Sequence, residues 1–235
     1  MKRVVGIIQA RLGSTRLPLK MLLSLHGKPI IEWVVDRVKK SYLLDVVVVA
    51  IPESEDNNIL EKILVDMNVE VFRGSEDDVL ERFYLAAKEY KADYIVRICA
   101  DNPLIDPTEI DNLINFYFSK KNDYAYNHFP RNNKYPDGLG AEMVSYSILE
   151  KLNFMAKEKN HREHCLSFIT DHPDSFSIGT FDPLDKTIVN PNLKFDIDNF
   201  QDYLNLAMKD FDISTSASEL VKIFSKDGNE IRKFI

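Results

Sequence analysis

Short apolar runs alternate with segments of helical spacing along the first half of this 235-residue chain. Residues 4–8 (VVGII) form a continuous apolar run, which is typical of a strand buried on both faces of a parallel sheet. The β-branched run 45–51 predicts a second buried strand, and residues 93–98 predict a third central strand. Helical spacing predicts helices over residues 29–40, 56–67, 77–90 and 107–118, with a short strand over 70–72. This alternation predicts an α/β fold with a mostly parallel central sheet flanked by helices.

The second half of the chain is less regular. Its patterns predict strands over 124–127, 176–181 and 194–197, and helices over 145–156, 161–171, 200–209 and 216–224. Residues 132–140 (NNKYPDGLG) are rich in turn-forming residues. Neither an internal repeat nor a linker interrupts the chain. We therefore expect one domain over residues 1–235, with an irregular excursion at 128–190.

The overall charge is acidic, with 30 Lys and Arg against 37 Asp and Glu. A general nucleic-acid binder presents a basic surface, so nucleic acid is not an expected partner. No apolar stretch approaches the roughly 20 residues of a membrane span, and the N-terminus lacks the apolar core of a signal peptide. The two isolated cysteines, Cys99 and Cys165, disfavour a disulfide framework or a zinc site. We expect a soluble cytoplasmic protein without a membrane partner.

A cationic loop follows the first predicted strand. In doubly wound sheets, ligands bind beyond the carboxyl ends of the strands, where this loop lies. Residues 9–20 (QARLGSTRLPLK) carry Arg11, Arg16 and Lys20 together with two hydroxyl side chains and a glycine. Such a loop can offer backbone N–H groups and forked guanidinium groups to a polyanion. It matches neither GxxxxGK[ST] nor GxGxxG, and a solvated basic loop without a ligand is the alternative.

Acidic residues follow two other predicted strands. Asp101 comes just beyond the run at 93–98, where a carboxylate can hold a hard divalent cation or, alternatively, cap a turn. Asp196 and Asp198 occupy alternate positions of the predicted strand 194–197 and its end, which places them on one face. Their alternative role is that of solvent-facing acids on an edge strand. Together with the cationic loop, these acids predict a site for Mg²⁺ and a triphosphate.

Several motifs resemble one enzyme family. Residues 7–28 (IIQARLGSTRLPLKMLLSLHGK) resemble the signature of the sugar-activating cytidylyltransferases, which include the synthetases of CMP-Kdo and of CMP-linked sialic-type acids. The segments FRGSEDDVLER at 72–82, VRICADNPLID at 96–106, YPDGL at 135–139, REH at 162–164 and DNFQD at 198–202 resemble its spore-coat polysaccharide branch. These segments follow the expected order across most of the chain. The chain departs from the pattern at Leu19 and Ala100, where glycine is usual.

The resemblance implies a Rossmann-like nucleotide-diphospho-sugar transferase fold and a role for each matching residue. Arg11, Lys20 and Asp101 would be catalytic, and Asp101 and Asp198 would bind Mg²⁺. Nucleotide binding would fall to Ala10, Arg11, Gly13, Ser14, Arg16, Lys20, Arg73, Gly74, Ser75 and Ala100. Acceptor binding would fall to Tyr135, Asp137, Glu142, Arg162 and His164. The resemblance further implies a homodimer formed through the excursion 128–190.

The resemblance therefore implies transfer of CMP from CTP to a small anionic acceptor, with release of pyrophosphate. The acceptor would be a sugar acid or a sugar or alditol phosphate used for surface polysaccharide or glycan biosynthesis. Three alternatives stay open at this point. One is a sugar-1-phosphate nucleotidyltransferase that uses another nucleoside triphosphate. Another is a GT-A type glycosyltransferase of the same fold, and the third is a nucleotide-binding module without turnover.

Overall fold

In a computed structural model that describes residues 2–225, a seven-stranded sheet carries helices on both faces. The strands of the sheet are β1 (Val4–Gln9), β4 (Val46–Pro52), β5 (Glu70–Gly74), β6 (Tyr94–Cys99), β7 (Tyr124–Tyr126), β8 (Glu142–Ser145) and β9 (Ile178–Thr180). Their order is β5-β4-β1-β6-β8-β7-β9, and β8 alone among them runs antiparallel to its neighbours. A small hairpin joins β2 (Ser24–Leu25) to β3 (Lys28–Pro29). The predicted α/β fold with a mostly parallel sheet is confirmed.

The helices follow the apolar periodicity of the sequence. They are α1 (Ile30–Val38), α2 (Asn58–Asp66), α3 (Val79–Glu89), α4 (Pro107–Lys120), α5 (Tyr146–Met155), α6 (Lys159–Glu163), α7 (Ser167–Asp171), α8 (Phe200–Ala207) and α9 (Ala217–Ser225). Asp106 begins α4 as an N-cap that accepts hydrogen bonds from the backbone N–H groups of Thr108 and Glu109. No helix within residues 2–225 is both long and apolar enough to span a membrane.

The two faces of the sheet bury separate hydrophobic cores. Trp33 of α1 and Ile110 of α4 belong to one core, and the Trp33 indole donates a hydrogen bond to the carbonyl of Leu25. Phe83 of α3 and Leu149 of α5 belong to the other. Because β1 pairs with β4 and β6 and is covered on both faces, only an apolar strand of this kind fits its position. The helical layers hold the ends of the central strands in place.

The chain order creates a crevice at the carboxyl ends of β1 and β6. From β1 the chain moves outward to β4 and β5, then returns to form β6 on the other side of β1. The connections that leave the two strands therefore diverge at this point, which is where open α/β sheets bind ligands. Gln9 and Cys99, the last residues of β1 and β6, are paired in register. The loops that follow them contain the predicted nucleotide-binding residues.

Three expectations for the second half need correction. Residues 194–197 are not a strand, because within residues 2–225 their only β-type pairing is one isolated bridge between Lys194 and Asp137. The helix predicted over 161–171 is two short helices, α6 and α7, separated by residues 164–166. The strand β8 was not predicted. It pairs with β6 so that Glu142 lies opposite Arg97, a partner far away in sequence.

Candidate functional site

The cationic loop after β1 is anchored by its apolar residues. The side chains of Leu12 and Leu17 are buried, and the Leu12 N–H donates to the Asn57 carboxamide at 3.0 Å. Leu19 adopts a left-handed backbone conformation with φ 55° and ψ 25°, just before the 3₁₀ helix Lys20–Leu22. This is the position where the family pattern carries glycine, and the left-handed conformation is the one that glycine adopts most easily. The anchored loop leaves the side chain of Arg16 exposed.

Lys20 is the buried cation of this loop, with only 8% of its surface exposed. Its Nζ donates to the carbonyl oxygen of Ile197 at 2.7 Å and lies 3.3 Å from Asp101 Oδ2. The Ile197 N–H in turn donates to the Asp101 carbonyl at 2.9 Å. Arg16 Nη2 lies 2.8 Å from Asp198 Oδ1. The structure thus brings Lys20, Arg16, Asp101 and Asp198 together, although 178 positions separate Lys20 from Asp198 in sequence.

Four carboxylates, Asp101, Asp137, Asp196 and Asp198, lie close enough to interact electrostatically with one another. The pKa of Asp196 is raised to about 7, mainly by burial and also by the charges of Asp137, Asp198 and Asp101, while Lys194 opposes them. Burial likewise raises the pKa of Asp137, with Lys194 opposing. The Oδ1 atom of Asp196 is buried without a hydrogen-bond partner. This group of carboxylate oxygens, balanced in part by Lys20, Arg16 and Lys194, is a donor set that a hard cation prefers.

Gly138 explains how the turn at 135–139 reaches these acids. Its φ is +86°, and a Cβ at this position would lie 2.8 Å from the backbone nitrogen of Asp196. The backbone of Asp137 also exchanges hydrogen bonds with Leu193 and Phe195, each at 2.9 Å. Asp137, predicted to contact an acceptor, therefore lies with the acids predicted to bind the metal.

Two carboxylates are enough for Mg²⁺, which usually retains waters and substrate phosphates in its coordination shell. Within residues 2–225 no group of three or more His, Cys, Asp or Glu side chains has metal-binding geometry. The oxygen donors Asp101 and Asp198 therefore fit a cation that shares its ligands with a bound polyphosphate. Their present ion pairs with Lys20 and Arg16 keep both carboxylates near the cationic loop.

A cavity of about 240 Å³, here called the loop cavity, opens between the ends of β1 and β6. Its lining includes predicted residues Ala10, Arg11, Ser14, Arg16, Lys20, Ala100, Asp101 and His164, and also Gln9, Thr15, Met21, Arg97 and Cys99. Cations outnumber the single carboxylate in this lining, so the cavity suits a polyanion. Sequence reasoning missed Arg97, whose signal is a charged residue inside an otherwise apolar strand.

The predicted segment 73–75 borders this site but does not line the cavity. The Arg73 guanidinium binds Glu61 and Asn58 of α2, so it fixes the segment to that helix. Arg82 is fully buried and donates to the Ser75 carbonyl, while its Nε and Nη2 have no hydrogen-bond partner. Burial, together with the charge of Arg11, lowers the pKa of Arg82 to about 10. Gly13 approaches this segment closely, since a Cβ there would lie 3.5 Å from a carboxylate oxygen of Glu76.

A buried network joins Arg97 to Glu142. Arg97 pairs with Glu142 through Nη1 and donates to the Gln9 side chain through Nη2 at 3.1 Å. The Tyr124 hydroxyl donates to Glu142 Oε1 at 2.5 Å, and His128 Nε2 lies 3.9 Å from Oε2. Burial acts to raise the pKa of Glu142, but Arg97, His128 and Tyr124 together outweigh it and lower that pKa. Glu142 is therefore a charged carboxylate whose oxygens are already paired with Arg97 and Tyr124.

The predicted acceptor residues lie in different places. Glu142 and His164 line a second cavity of about 200 Å³, here called the Glu142 cavity, which shares Arg97 and His164 with the loop cavity. Tyr135 is fully buried, and its hydroxyl donates to Glu109. Arg162 Nη2 pairs with Asp78 at 2.6 Å, on the N-terminal side of α3. Tyr135 and Arg162 therefore stabilise the elements around the cavities and do not line them.

The fold and the site define an α/β protein whose cationic loop lines a cavity together with Asp101 and forms ion pairs with Asp101 and Asp198. The family model described as cytidylyltransferase matches residues 5–230, and the chain belongs to the cytidylyltransferase family. The resemblance predicted from the motifs is confirmed.

Relatives of known name match most of the chain. The spore coat polysaccharide biosynthesis protein SpsF of Bacillus subtilis is 31% identical over 97% of this chain and 96% of its own length. The 3-deoxy-manno-octulosonate cytidylyltransferase of Bdellovibrio bacteriovorus is 36% identical over 71% of this chain and 62% of its own length. These names link the chain's relatives to polysaccharide biosynthesis and to a sugar-acid cytidylyltransferase.

Solved structures share the fold. A cytidylyltransferase from Leptospira borgpetersenii has a TM-score of 0.88 and 29% identity, covering 97% of this chain and 96% of that one. A CMP-2-keto-3-deoxy-manno-octonic acid synthetase, solved in complex with CTP, has a TM-score of 0.60 at 17% identity over 77% of this chain and 90% of its own. Rv0371c of Mycobacterium tuberculosis, solved in complex with manganese, has a TM-score of 0.64 at 14% identity, covering 88% of this chain and 99% of that one. At such low identity the last two support the fold alone.

Proposed function

We propose that this cytidylyltransferase transfers CMP from CTP to a small anionic sugar-type acceptor, with Mg²⁺ as cofactor and pyrophosphate as the leaving group. The acceptor is a sugar acid or a sugar or alditol phosphate destined for surface polysaccharide or glycan synthesis, in line with the names of the relatives. The observation that carries the proposal is the contact of buried Lys20 with both Asp101 and the carbonyl of Ile197. This contact supports the proposal because it joins a buried cation to Asp101 and to the residue that precedes Asp198.

In this reaction an acceptor oxygen attacks the α-phosphorus of CTP, and pyrophosphate leaves in line. Such chemistry asks the protein mainly for positioning and for charge stabilisation. Arg11 and Arg16 bind phosphate oxygens, and Lys20 stabilises the charge that grows on the departing pyrophosphate. The exposed ion pair of Arg16 with Asp198 is worth little in water, so Arg16 can exchange it for a phosphate at small cost.

Asp101 and Asp198 are the residues that would hold Mg²⁺. A bound Mg²⁺ would supply Lewis-acid polarisation of the phosphate oxygens there. The buried Oδ1 of Asp196, which lacks a hydrogen-bond partner, supports a cation at this place. Asp196 adds negative charge beside the two ligands, and Lys194 balances part of it.

The remaining nucleotide contacts follow from the placement of the two loops. Ala10, Gly13, Ser14 and Ala100 approach CTP from the ends of β1 and β6. The segment Arg73, Gly74 and Ser75, fixed by Glu61 and Arg82, borders the ribose and base. We further propose a single domain over residues 1–235, a homodimer through the excursion 128–190 and a cytoplasmic location.

Pyrophosphate release in the presence of Mg²⁺ tests this function. The assay crosses the four nucleoside triphosphates with sugar acids, sugar phosphates and alditol phosphates, for the wild type, Asp101→Asn and the exposed control Asp66→Asn. We expect release with CTP and at least one acceptor, a loss of about 100-fold or more in kcat for Asp101→Asn, and no change for the control. No release with any pair, or equal release by Asp101→Asn, refutes the proposal. A preference for another nucleotide overturns the assignment of CTP and leaves nucleotidyl transfer standing.

A further inference from the structure

Three neighbouring cavities, here together called the trough, lie between the cationic loop and strand β9. The loop cavity and the Glu142 cavity share Arg97 and His164. The Glu142 cavity shares Phe129, Arg131 and Thr170 with a third cavity of about 460 Å³, here called the outer cavity, which reaches the edge strand β9. An acceptor that reacts at the loop cavity therefore has room to extend toward β9.

Arg97 is not available to bind an anion in this trough. Its guanidinium pairs with Glu142 and donates to Gln9, so the charge of the buried pair is already balanced. His128 does not supply a cation either, because burial lowers its pKa to about 4. An anionic acceptor needs another positive group on the acceptor side of Arg97.

Arg131 supplies that group. Among the described residues that line the Glu142 and outer cavities, Arg97 and Arg131 are the only arginine or lysine side chains. The backbone of Arg131 is held firmly: its carbonyl accepts from the Tyr126 hydroxyl at 2.7 Å and from Asn133 Nδ2 at 3.2 Å. Across residues 2–225, no hydrogen bond or ion pair involves its guanidinium. Arg131 is exposed at the border of two cavities, so its guanidinium is free to turn toward an anion that enters either of them.

A second polar group near Arg131 also lacks a partner. The Ser167 hydroxyl lines the Glu142 cavity and is buried without a hydrogen bond, although a buried hydroxyl normally has one. Close to it, Phe129 stacks on Tyr126 with the ring centroids 4.8 Å apart and the planes 8° from parallel. The trough thus offers an unpaired cation, an unpaired hydroxyl and a flat apolar surface, which together match an anionic polyhydroxy compound.

We propose that Arg131 binds the carboxylate or phosphate of the acceptor, with the Ser167 hydroxyl as a further hydrogen-bonding group. This inference rests on the proposed function and deepens it, because it assigns the acceptor's charged group to a residue outside the motifs that resemble the family. Arg131 then selects anionic acceptors over neutral sugars, while CTP binding depends on the loop cavity.

The test measures KM separately for CTP and for the acceptor. The acceptors are 3-deoxy-manno-octulosonate for the carboxylate arm and ribitol 5-phosphate for the phosphate arm. The variants are Arg131→Gln, Arg131→Lys and Ser167→Ala, with Lys134→Gln as the matched control. Lys134 belongs to the same excursion but pairs with Asp182 at 2.8 Å and lines neither cavity.

We expect Arg131→Gln to raise the acceptor KM about 10- to 100-fold while the CTP KM stays within about two-fold. Arg131→Lys recovers part of the loss, Ser167→Ala gives a smaller rise, and the control behaves as the wild type. A rise in KM for 3-deoxy-manno-octulosonate indicates that Arg131 binds a carboxylate, and a rise for ribitol 5-phosphate indicates that it binds a phosphate. An unchanged acceptor KM in Arg131→Gln, or an equal rise in the KM for CTP, overturns the inference about Arg131. The proposed function still stands in that case if the wild type releases pyrophosphate. No pyrophosphate release by the wild type with any acceptor overturns both.

Discussion

Replacing Gly138 by alanine is expected to disturb the acids of the site through backbone contact alone. Gly138 has a φ of +86°, and its added Cβ would lie 2.8 Å from Asp196 N and 3.1 Å from the carbonyl carbon of Phe195. Because both are backbone atoms, no side-chain rotation relieves the overlap. Gly27 is a matched control, since its φ is +82° and no heavy atom lies within 4 Å of the added Cβ.

Comparison of the two substitutions separates the cost of the left-handed backbone from the cost of the steric overlap with residues 195 and 196. A left-handed conformation costs a non-glycine residue about 1–2 kcal/mol, and both variants bear this cost. Only Gly138→Ala adds the overlap, and forcing atoms into packed surroundings costs about 1–3 kcal/mol more. We therefore expect a loss of about 2–5 kcal/mol in the free energy of unfolding for Gly138→Ala, against about 1–2 kcal/mol for Gly27→Ala.

Urea denaturation measures both free energies, and pyrophosphate release during a Mg²⁺ titration measures the functional consequence. Gly138→Ala shifts the 196–198 segment, so we expect it to require more Mg²⁺ for half-maximal activity. Gly27→Ala is expected to keep the wild-type Mg²⁺ dependence. Equal stability losses in the two variants, or an unchanged Mg²⁺ requirement in Gly138→Ala, would refute the proposed coupling between the turn at 135–139 and the metal ligands.

Three further predictions concern stability. Leu19→Gly relieves a left-handed conformation at an exposed position, so we expect thermal denaturation to show a gain of about 0.5–1 kcal/mol; a loss contradicts the assigned backbone strain. Glu142→Gln leaves the buried Arg97 guanidinium without its carboxylate, and urea denaturation should show a loss of about 3–5 kcal/mol, whereas the exposed control Glu89→Gln should show none. Burial lowers the folded-state pKa of His128 to about 4, below its unfolded value, so the unfolded chain binds the extra proton. Stability from this group is complete above about pH 6.5 and falls by at most about 1.4 kcal/mol per pH unit toward pH 4; His128→Gln should remove this component, and an unchanged acid profile contradicts it.

The central strands in the first half of the chain could be predicted because their sequence patterns are local. Residues 4–8 and 45–51 are apolar on both faces, and this pattern has few structural solutions besides a central parallel strand. The strand β8 carries no such signal, since Glu142 begins it and its pairing depends on Arg97 across the sheet. Residues 194–197 carry a strand-like pattern, but their backbone meets a turn and not an extended neighbour. In both cases tertiary pairing decides the structure.

The candidate site could likewise be predicted only in part. Sequence order and the strand-edge rule place Arg11, Lys20 and Asp101 at one crevice, and the structure brings them to one cavity. The grouping of Asp137 with the metal candidates could not be predicted, because it depends on how closely Gly138 approaches Asp196. Such contacts join segments far apart in sequence and leave no periodic signal.

Phosphorus NMR of the reaction products tests the central claim most directly, since the claim is attack at the α-phosphorus of CTP. The wild type is incubated with CTP, Mg²⁺ and the acceptor that supports turnover. The account predicts one pyrophosphate for each new CMP–acceptor linkage, and loss of both signals in Lys20→Met. Orthophosphate and CDP as products, or a CMP–acceptor linkage formed at the wild-type rate by Lys20→Met, would contradict it.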